Sequence, residues 1–394
     1  MTLSKIRGLL LEKGMVYLYA LFIAGYFLLP MAAGHRRLYY ALVFPAVLLL
    51  WRELWSFYRG NTLTALFLAY CAYLVASLAW SSNFEATEAF WSAWYTIAVV
   101  SFCLITGFLW RQYPALVDRL AHRAVWLAAG AALVYTVVWY LGNPFPESRL
   151  EPLGVMHHTN KSSCAYGVFL VLCMHYLLKE QSRQQKLLYL LMAGVLFSLI
   201  VLTQSRTALA GVSVGLVVLA GARAVGVVAL AMAASWLLVA TGVDEWQFRV
   251  EAFSFRPGIW QQVIRDMQGH WFVGVGLLSD TTVAAYDRSF SHAHNAYLAT
   301  LRDGGLVGLS LLLSMLAVAV FWAWRLYRQR GERLYLALLL QAMVFVTMDF
   351  DRLLVHPKEL WLFFWVPFAL VMAVYPAADN TAGQHPPHAG AAPK

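Results

Sequence analysis

Apolar runs of 14 to 20 residues recur along this chain from Met15 to Tyr375. Against the roughly 20 residues a helix needs to cross a bilayer, they predict helices near residues 15–33, 38–51, 62–80, 94–110, 122–141, 162–178, 187–203, 207–220, 224–241, 306–324, 334–348 and 359–375. Lipid offers peptide groups no hydrogen-bond partners, so segments that satisfy their own backbone are the expected solution. Composition agrees: 61% of the 394 residues are hydrophobic, 12% are charged and mean hydropathy is +0.62, whereas a soluble domain is about a quarter charged. The expected fold is an all-α integral membrane protein with about 12 transmembrane helices.

The net charge of +9 does not point to nucleic acid, because the basic residues fall mostly in short loops between the runs. With the N-terminus inside, 17 Lys and Arg collect on the cytoplasmic side and 12 on the other. Much of the second set lies in a long loop that the positive-inside rule discounts, so both termini are expected in the cytoplasm. The first run is too long for a signal-peptide core and is expected to be the first span. Cys71, Cys103, Cys164 and Cys173 all sit inside apolar runs, and no structural disulfide is expected.

Residues 1–376 are therefore expected to form one membrane domain, with a single long insertion, 242–293, between spans 9 and 10 on the non-cytoplasmic side. The insertion is rich in aromatics and carries Arg249, Arg256, Arg265 and Arg288. After Pro257, the residues Ile259, Trp260, Val263, Ile264 and Met267 recur at helical spacing, which predicts an amphipathic helix ending near Gly269 on the membrane surface. The tail, 377–394, is polar and rich in Pro, Gly and Ala, and reads as disordered. No internal repeat of the kind common in transporters is found.

A few residues could carry chemistry. Arg206 lies in the short link between two apolar runs, at or just beneath the outer surface. A guanidinium there is either functional or snorkelling to lipid phosphates. His292 and His294 close the long loop on the same side, and an imidazole can take a proton from an attacking hydroxyl at neutral pH. A helix-capping or otherwise structural histidine is the plainer alternative. Arg256, Arg265 and Arg288 suit a pyrophosphate, since a guanidinium binds phosphate oxygens bidentately, but each alone could equally meet anionic headgroups. His157 and His158 are adjacent and share no helix face, which makes them poor metal ligands. Asp349 and Asp351 could hold a divalent ion, although Arg352 and Lys358 stand close enough to neutralise them. The absence of a Walker loop, a GxSxG elbow and HExxH argues against nucleotide-driven transport, serine hydrolysis and zinc proteolysis.

His294-Asn295, nine residues, then Gly305-Leu306-Val307-Gly308 resembles a signature of the O-antigen ligase and polymerase superfamily of bacterial envelope enzymes. Gln204-Ser205-Arg206, Arg256-Pro257-Gly258-Ile259-Trp260 and Phe272-Val273-Gly274-Val275-Gly276 support the resemblance, as does the expected large loop between spans 9 and 10. The resemblance implies transfer of a glycan from undecaprenyl pyrophosphate to a sugar hydroxyl of the lipid A core, at the periplasmic face of the inner membrane, without ATP, metal or other cofactor. It implies His294 rather than His292 as general base, supported by Asn295, with Arg206 and Arg256 as pyrophosphate ligands. Arg265 and Arg288 are added only from their loop position. Close alternatives are a polymerase extending the lipid-linked glycan and an enzyme attaching it to protein. A lipid-linked-glycan transporter is a further alternative, but it would place ionisable residues deep in several spans rather than at one surface.

Overall fold

A computed structural model of the chain describes residues 3–145, 148–221 and 255–376. The expected span at 224–241, Arg249 and the tail 377–394 lie outside the described residues. Every other apolar run lies largely on helix, but the runs at 15–33 and 38–51 are interrupted, at residues 29–31 and at Leu50. Among the described residues, seven helices are long and apolar enough to cross a membrane, or eight if a bent pair is counted as one span. They are α1 (Leu3–Leu28), the bent pair α2 and α3 (Ala32–Leu49 and Trp51–Tyr58), α4 (Thr62–Trp80), α5 (Ala86–Gln112), α6 (Pro114–Gly142), α7 (Thr159–Lys179) and α8 (Arg183–Leu202), with a later helix, α11 (Ala296–Arg330). The shorter apolar helices are α9 (Arg206–Ala220), α12 (Leu334–Asp349) and α13 (Trp361–Val374). The insertion contributes α10 (Arg256–Asp266) and a hairpin of β1 (Val283–Ala285) and β2 (Arg288–Phe290).

The element boundaries follow local chemistry. Pro30 disfavours a helical residue before it, and Leu29 accordingly turns extended, with ψ 136°. The run at 38–51 breaks at Leu50, after which the chain bends by 66° into α3. Helix α1 begins well before its apolar run, taking in Lys5, Arg7 and Lys13, and Arg7 pairs with Glu53 on α3. All four cysteines are buried free thiols.

The tightest seam joins α7, α9 and α12. A Cβ at Gly211 would fall 2.3 Å from the Phe345 ring, and one at Gly215 would fall 2.6 Å from the Gln341 amide. Small residues let helix backbones approach where lipid provides no hydrophobic drive. The seam matters because the N-termini of α7 and α9 and the C-terminus of α12 emerge together at one end of the bundle.

Candidate active site

At that end, a pocket of about 250 Å³ is lined by Arg149, Asn160, Arg206, Arg256, His294 and Asp349, among others. Each side chain is placed by a local rule. Gln204 turns the chain between α8 and α9 with φ 52°, a left-handed conformation that a non-glycine residue holds only when its surroundings require it. Ser205 then caps α9, its Oγ accepting from the Ala208 N–H at 3.3 Å, so Arg206 opens the helix. Two helix N-termini, those of α7 and α9, thereby contribute partial positive charge to the pocket.

His294 is the second non-glycine residue of the pocket wall in a left-handed conformation, with φ 51°. The next residue, Asn295, caps α11: its Oδ1 accepts from the N–H groups of Tyr297 at 2.9 Å and Leu298 at 3.1 Å. Capping is thus the work of Asn295, and the imidazole of His294 is free to turn elsewhere. Its Nδ1 lies 3.0 Å from the Asp349 carboxylate. A carboxylate only accepts, so this contact puts the ring proton on Nδ1 and leaves the lone pair on Nε2. The other Asp349 oxygen accepts from Asn160 at 2.6 Å, Asn160 accepts from Arg149 at 2.6 Å, and Arg149 donates to the Thr203 carbonyl at 2.8 Å. One relay therefore runs from the α8–α9 turn to the imidazole. His292 lies beside it, ring centroids 3.9 Å apart and planes tilted by 42°, and accepts from the His294 N–H at 3.1 Å. Burial and the neighbouring His294 push the pKa of His292 below its usual value. Burial likewise lowers that of Arg256, from a value far above neutrality.

The loop reaches this position because α11 is broken. Gly305, the second residue of the Gly304-Gly305 pair, has φ 62° and ψ −162° inside the helix. The break strands backbone groups that must find partners. The segment 271–276 supplies them: Val275 and Gly276 donate to the carbonyls of Arg302 and Asp303, while Leu306 and Val307 donate to those of Trp271 and Phe272, all between 2.7 and 3.2 Å. A Cβ on Gly305 would lie 2.3 Å from the Phe272 carbonyl oxygen. Outside this junction, Ile259 and Val263 of α10 pack with Val283 and Ala293, and Trp260 donates to the Ala293 carbonyl at 3.1 Å. Beneath it, buried Asp303 accepts from Arg302 at 2.9 Å and Arg352 at 3.1 Å. That network ties the start of α11 to the residues following Asp349, and so fixes both partners of the His294 contact.

The structure thus brings together His294, Arg206 and Arg256 from the sequence-derived set. Arg265 is exposed and does not line the pocket. Arg288 also lies off the pocket wall, its guanidinium 4.9 Å over the ring of Phe255, which does line it. Asp349 and Asp351 take different partners: Asp351 faces Arg302 at 3.5 Å. His157 turns to the Gly154 carbonyl, 3.0 Å away. Among the described residues, no group of three His, Cys, Asp or Glu is placed to share a metal ion. Sequence reasoning did not single out Arg149 and Asn160, and it weighed Asp349 only together with Asp351. The available signal was an acid at the end of one apolar run and an amide at the start of another, both on the side of Arg206.

No family model matches the chain. An O-antigen ligase from Pseudomonas aeruginosa strain PAO1 is 28% identical over 351 residues, which cover 86% of this chain and 85% of the relative.

Proposed function

The extent of that similarity supports assigning this multi-pass membrane protein to the O-antigen ligase family, and from that premise we propose a reaction for the His294 pocket. The reaction is transfer of a polysaccharide from undecaprenyl pyrophosphate to a sugar hydroxyl of the lipid A core. The observation that carries this reading is the 3.0 Å His294–Asp349 contact beside three arginines. It supports a base whose Nε2 lone pair faces a pocket suited to a pyrophosphate.

In this mechanism Nε2 of His294 takes the proton of the acceptor hydroxyl as its oxygen attacks the anomeric carbon. The bond from that carbon to the pyrophosphate oxygen breaks, and undecaprenyl pyrophosphate departs with the electron pair. Asp349 balances the imidazolium that forms. Arg206 and Arg256, joined by Arg149 from the relay, stabilise charge gathering on the leaving pyrophosphate, where preorganised donors act most strongly. The donor is already activated, so no ATP enters the scheme, and in this proposal the three arginines carry the charge stabilisation without a metal. The pocket faces the periplasm, where two lipid-borne substrates meet by lateral diffusion, with about 12 spans and cytoplasmic termini completing the arrangement.

The test is to replace the chromosomal gene with His294→Ala and examine cell-envelope lipids. Core-only lipopolysaccharide, with polymerised glycan retained on its carrier and normal protein level, is expected. Continued attachment of long glycan refutes the base assignment; single repeats on the carrier indicate a polymerase instead.

A further inference from the structure

The opposite end of the bundle has a polar chamber of its own. A cavity of about 320 Å³ there is lined by Asp118, His175, Lys179, Arg330, Glu332 and Tyr335, among others. Adjoining it is an apolar cavity of about 250 Å³, walled by residues such as Ala20, Ala24, Ala124, Leu127 and Phe169. Trp110 lines both. On α12, Leu338 lines the apolar cavity and Leu334 the polar one; on α13, Leu370 and Val374 divide in the same way. Each pair is about one helical turn apart, so the two spaces are stacked end to end along the same helices.

Position and polarity constrain what this double cavity can hold. Along α7, Asn160 lines the reaction pocket and Lys179 the polar chamber, 19 positions later. At 1.5 Å per residue this is about 28 Å, close to the roughly 30 Å of a bilayer's hydrocarbon core. The polar chamber therefore lies at the other membrane surface. Two walls of the apolar cavity belong to α1 and α6, whose most apolar stretches have the smallest buried shares, 28% and 22%, of the seven long apolar helices among the described residues. These helices stand at the lipid-facing edge of the bundle, where a chain can enter sideways. The hydroxyls within the apolar wall, Tyr19 and Thr106, bond to each other at 2.9 Å.

The charges in the chamber are of both signs and loosely engaged. Lys179 and Glu332 stand 3.8 Å apart, and Asp118 accepts from Tyr176 at 3.1 Å. A purely anionic headgroup would set its phosphate against two carboxylates. A quaternary ammonium could offer those carboxylates no N–H. A headgroup with one phosphate and one primary ammonium matches both signs, the first beside Lys179 and Arg330 and the second beside Asp118 and Glu332. We infer that the paired cavities form a site for one zwitterionic aminophospholipid, its acyl chain in the apolar slot and its headgroup in the charged chamber, wedged where α1, α6, α12 and α13 meet. The inference takes from the His294 pocket only its place at the other end of α7, and stands independently of the reaction.

The experiment is lipid analysis of the full chain purified in mild detergent, followed by native mass spectrometry of stripped protein titrated with phosphatidylethanolamine, phosphatidylglycerol or phosphatidylcholine. About one phosphatidylethanolamine per chain is expected, bound about tenfold more tightly than the other two. Ala124→Trp, which fills the slot, and the double variant Lys179→Ala/Arg330→Ala should each lower its occupancy by about fivefold or more. Both variants should remain monodisperse. Equal binding of phosphatidylglycerol, no retained lipid, or undiminished occupancy in either variant overturns the site. If Ala124→Trp does not fold, the double variant decides alone, since Lys179 and Arg330 are exposed.

Discussion

Asp349→Asn isolates the electrostatic part of the His294 contact while keeping the shape of the side chain. Two donors now point at residue 349, Asn160 at 2.6 Å and the His294 ring N–H at 3.0 Å. A carboxylate accepts both. An amide has one oxygen and one NH2, so one donor must face another donor. If the NH2 turns to His294, the ring proton moves to Nε2 and the base is lost; if it turns to Asn160, the relay from Arg149 breaks. The imidazolium of the transition state also loses its counter-ion. A charge pair about 4 Å apart at an effective dielectric near 20 is worth about 4 kcal/mol. With His294 and Asp349 side chains 28% and 10% exposed, about 3 kcal/mol is a fair discount. The expected fall in transfer rate is therefore on the order of a hundredfold to a thousandfold. The assay is single-turnover transfer by purified protein at saturating lipid-linked donor, with donor affinity measured separately. A rate within about fivefold of the parent, or a defect confined to donor affinity, would refute the positioning role of Asp349.

Arg206→Lys and Arg256→Lys should each slow transfer by about a hundredfold through loss of bidentate contact, whereas exposed Arg265→Ala should stay within about twofold; steady-state kinetics of the three variants compares them directly. Gly305→Ala meets both a left-handed backbone and a Cβ contact of 2.3 Å with the Phe272 carbonyl, so it should cost at least about 2 kcal/mol and expose the 271–276 segment to limited proteolysis. Burial, reinforced by Lys358, holds His356 down to about 4. Its folded pKa is below the unfolded value near 6.5, so the unfolded chain takes up the proton first and stability falls as pH drops through that window. Thermal midpoints should decline from pH 7 to 4, and His356→Leu should flatten the decline.

Much of the architecture is a one-dimensional property and could be read as such. Burial in lipid demands unbroken apolar length, and apolar length is visible in sequence; so is a glycine pair that breaks a helix, as at Gly305, whereas the helix expected at 15–33 passed over the break at Pro30. The amphipathic spacing after Pro257 likewise gave α10. The pairing of His294 with Asp349 is different, because 55 positions separate two residues that meet only after α11 is broken and α12 is seated on Gly211 and Gly215. Sequence spacing set Asp349 beside Asp351, which suggested a shared ion, but the end of α12 splits them between His294 and Arg302. The same holds for the arginines. All four lie on the expected outer side, yet nothing local distinguishes Arg256, turned into the pocket from the start of α10, from Arg265, left exposed near its end. Helix length and breakage are determined by each segment against its solvent, whereas which side chains converge is determined by how the helices pack against one another.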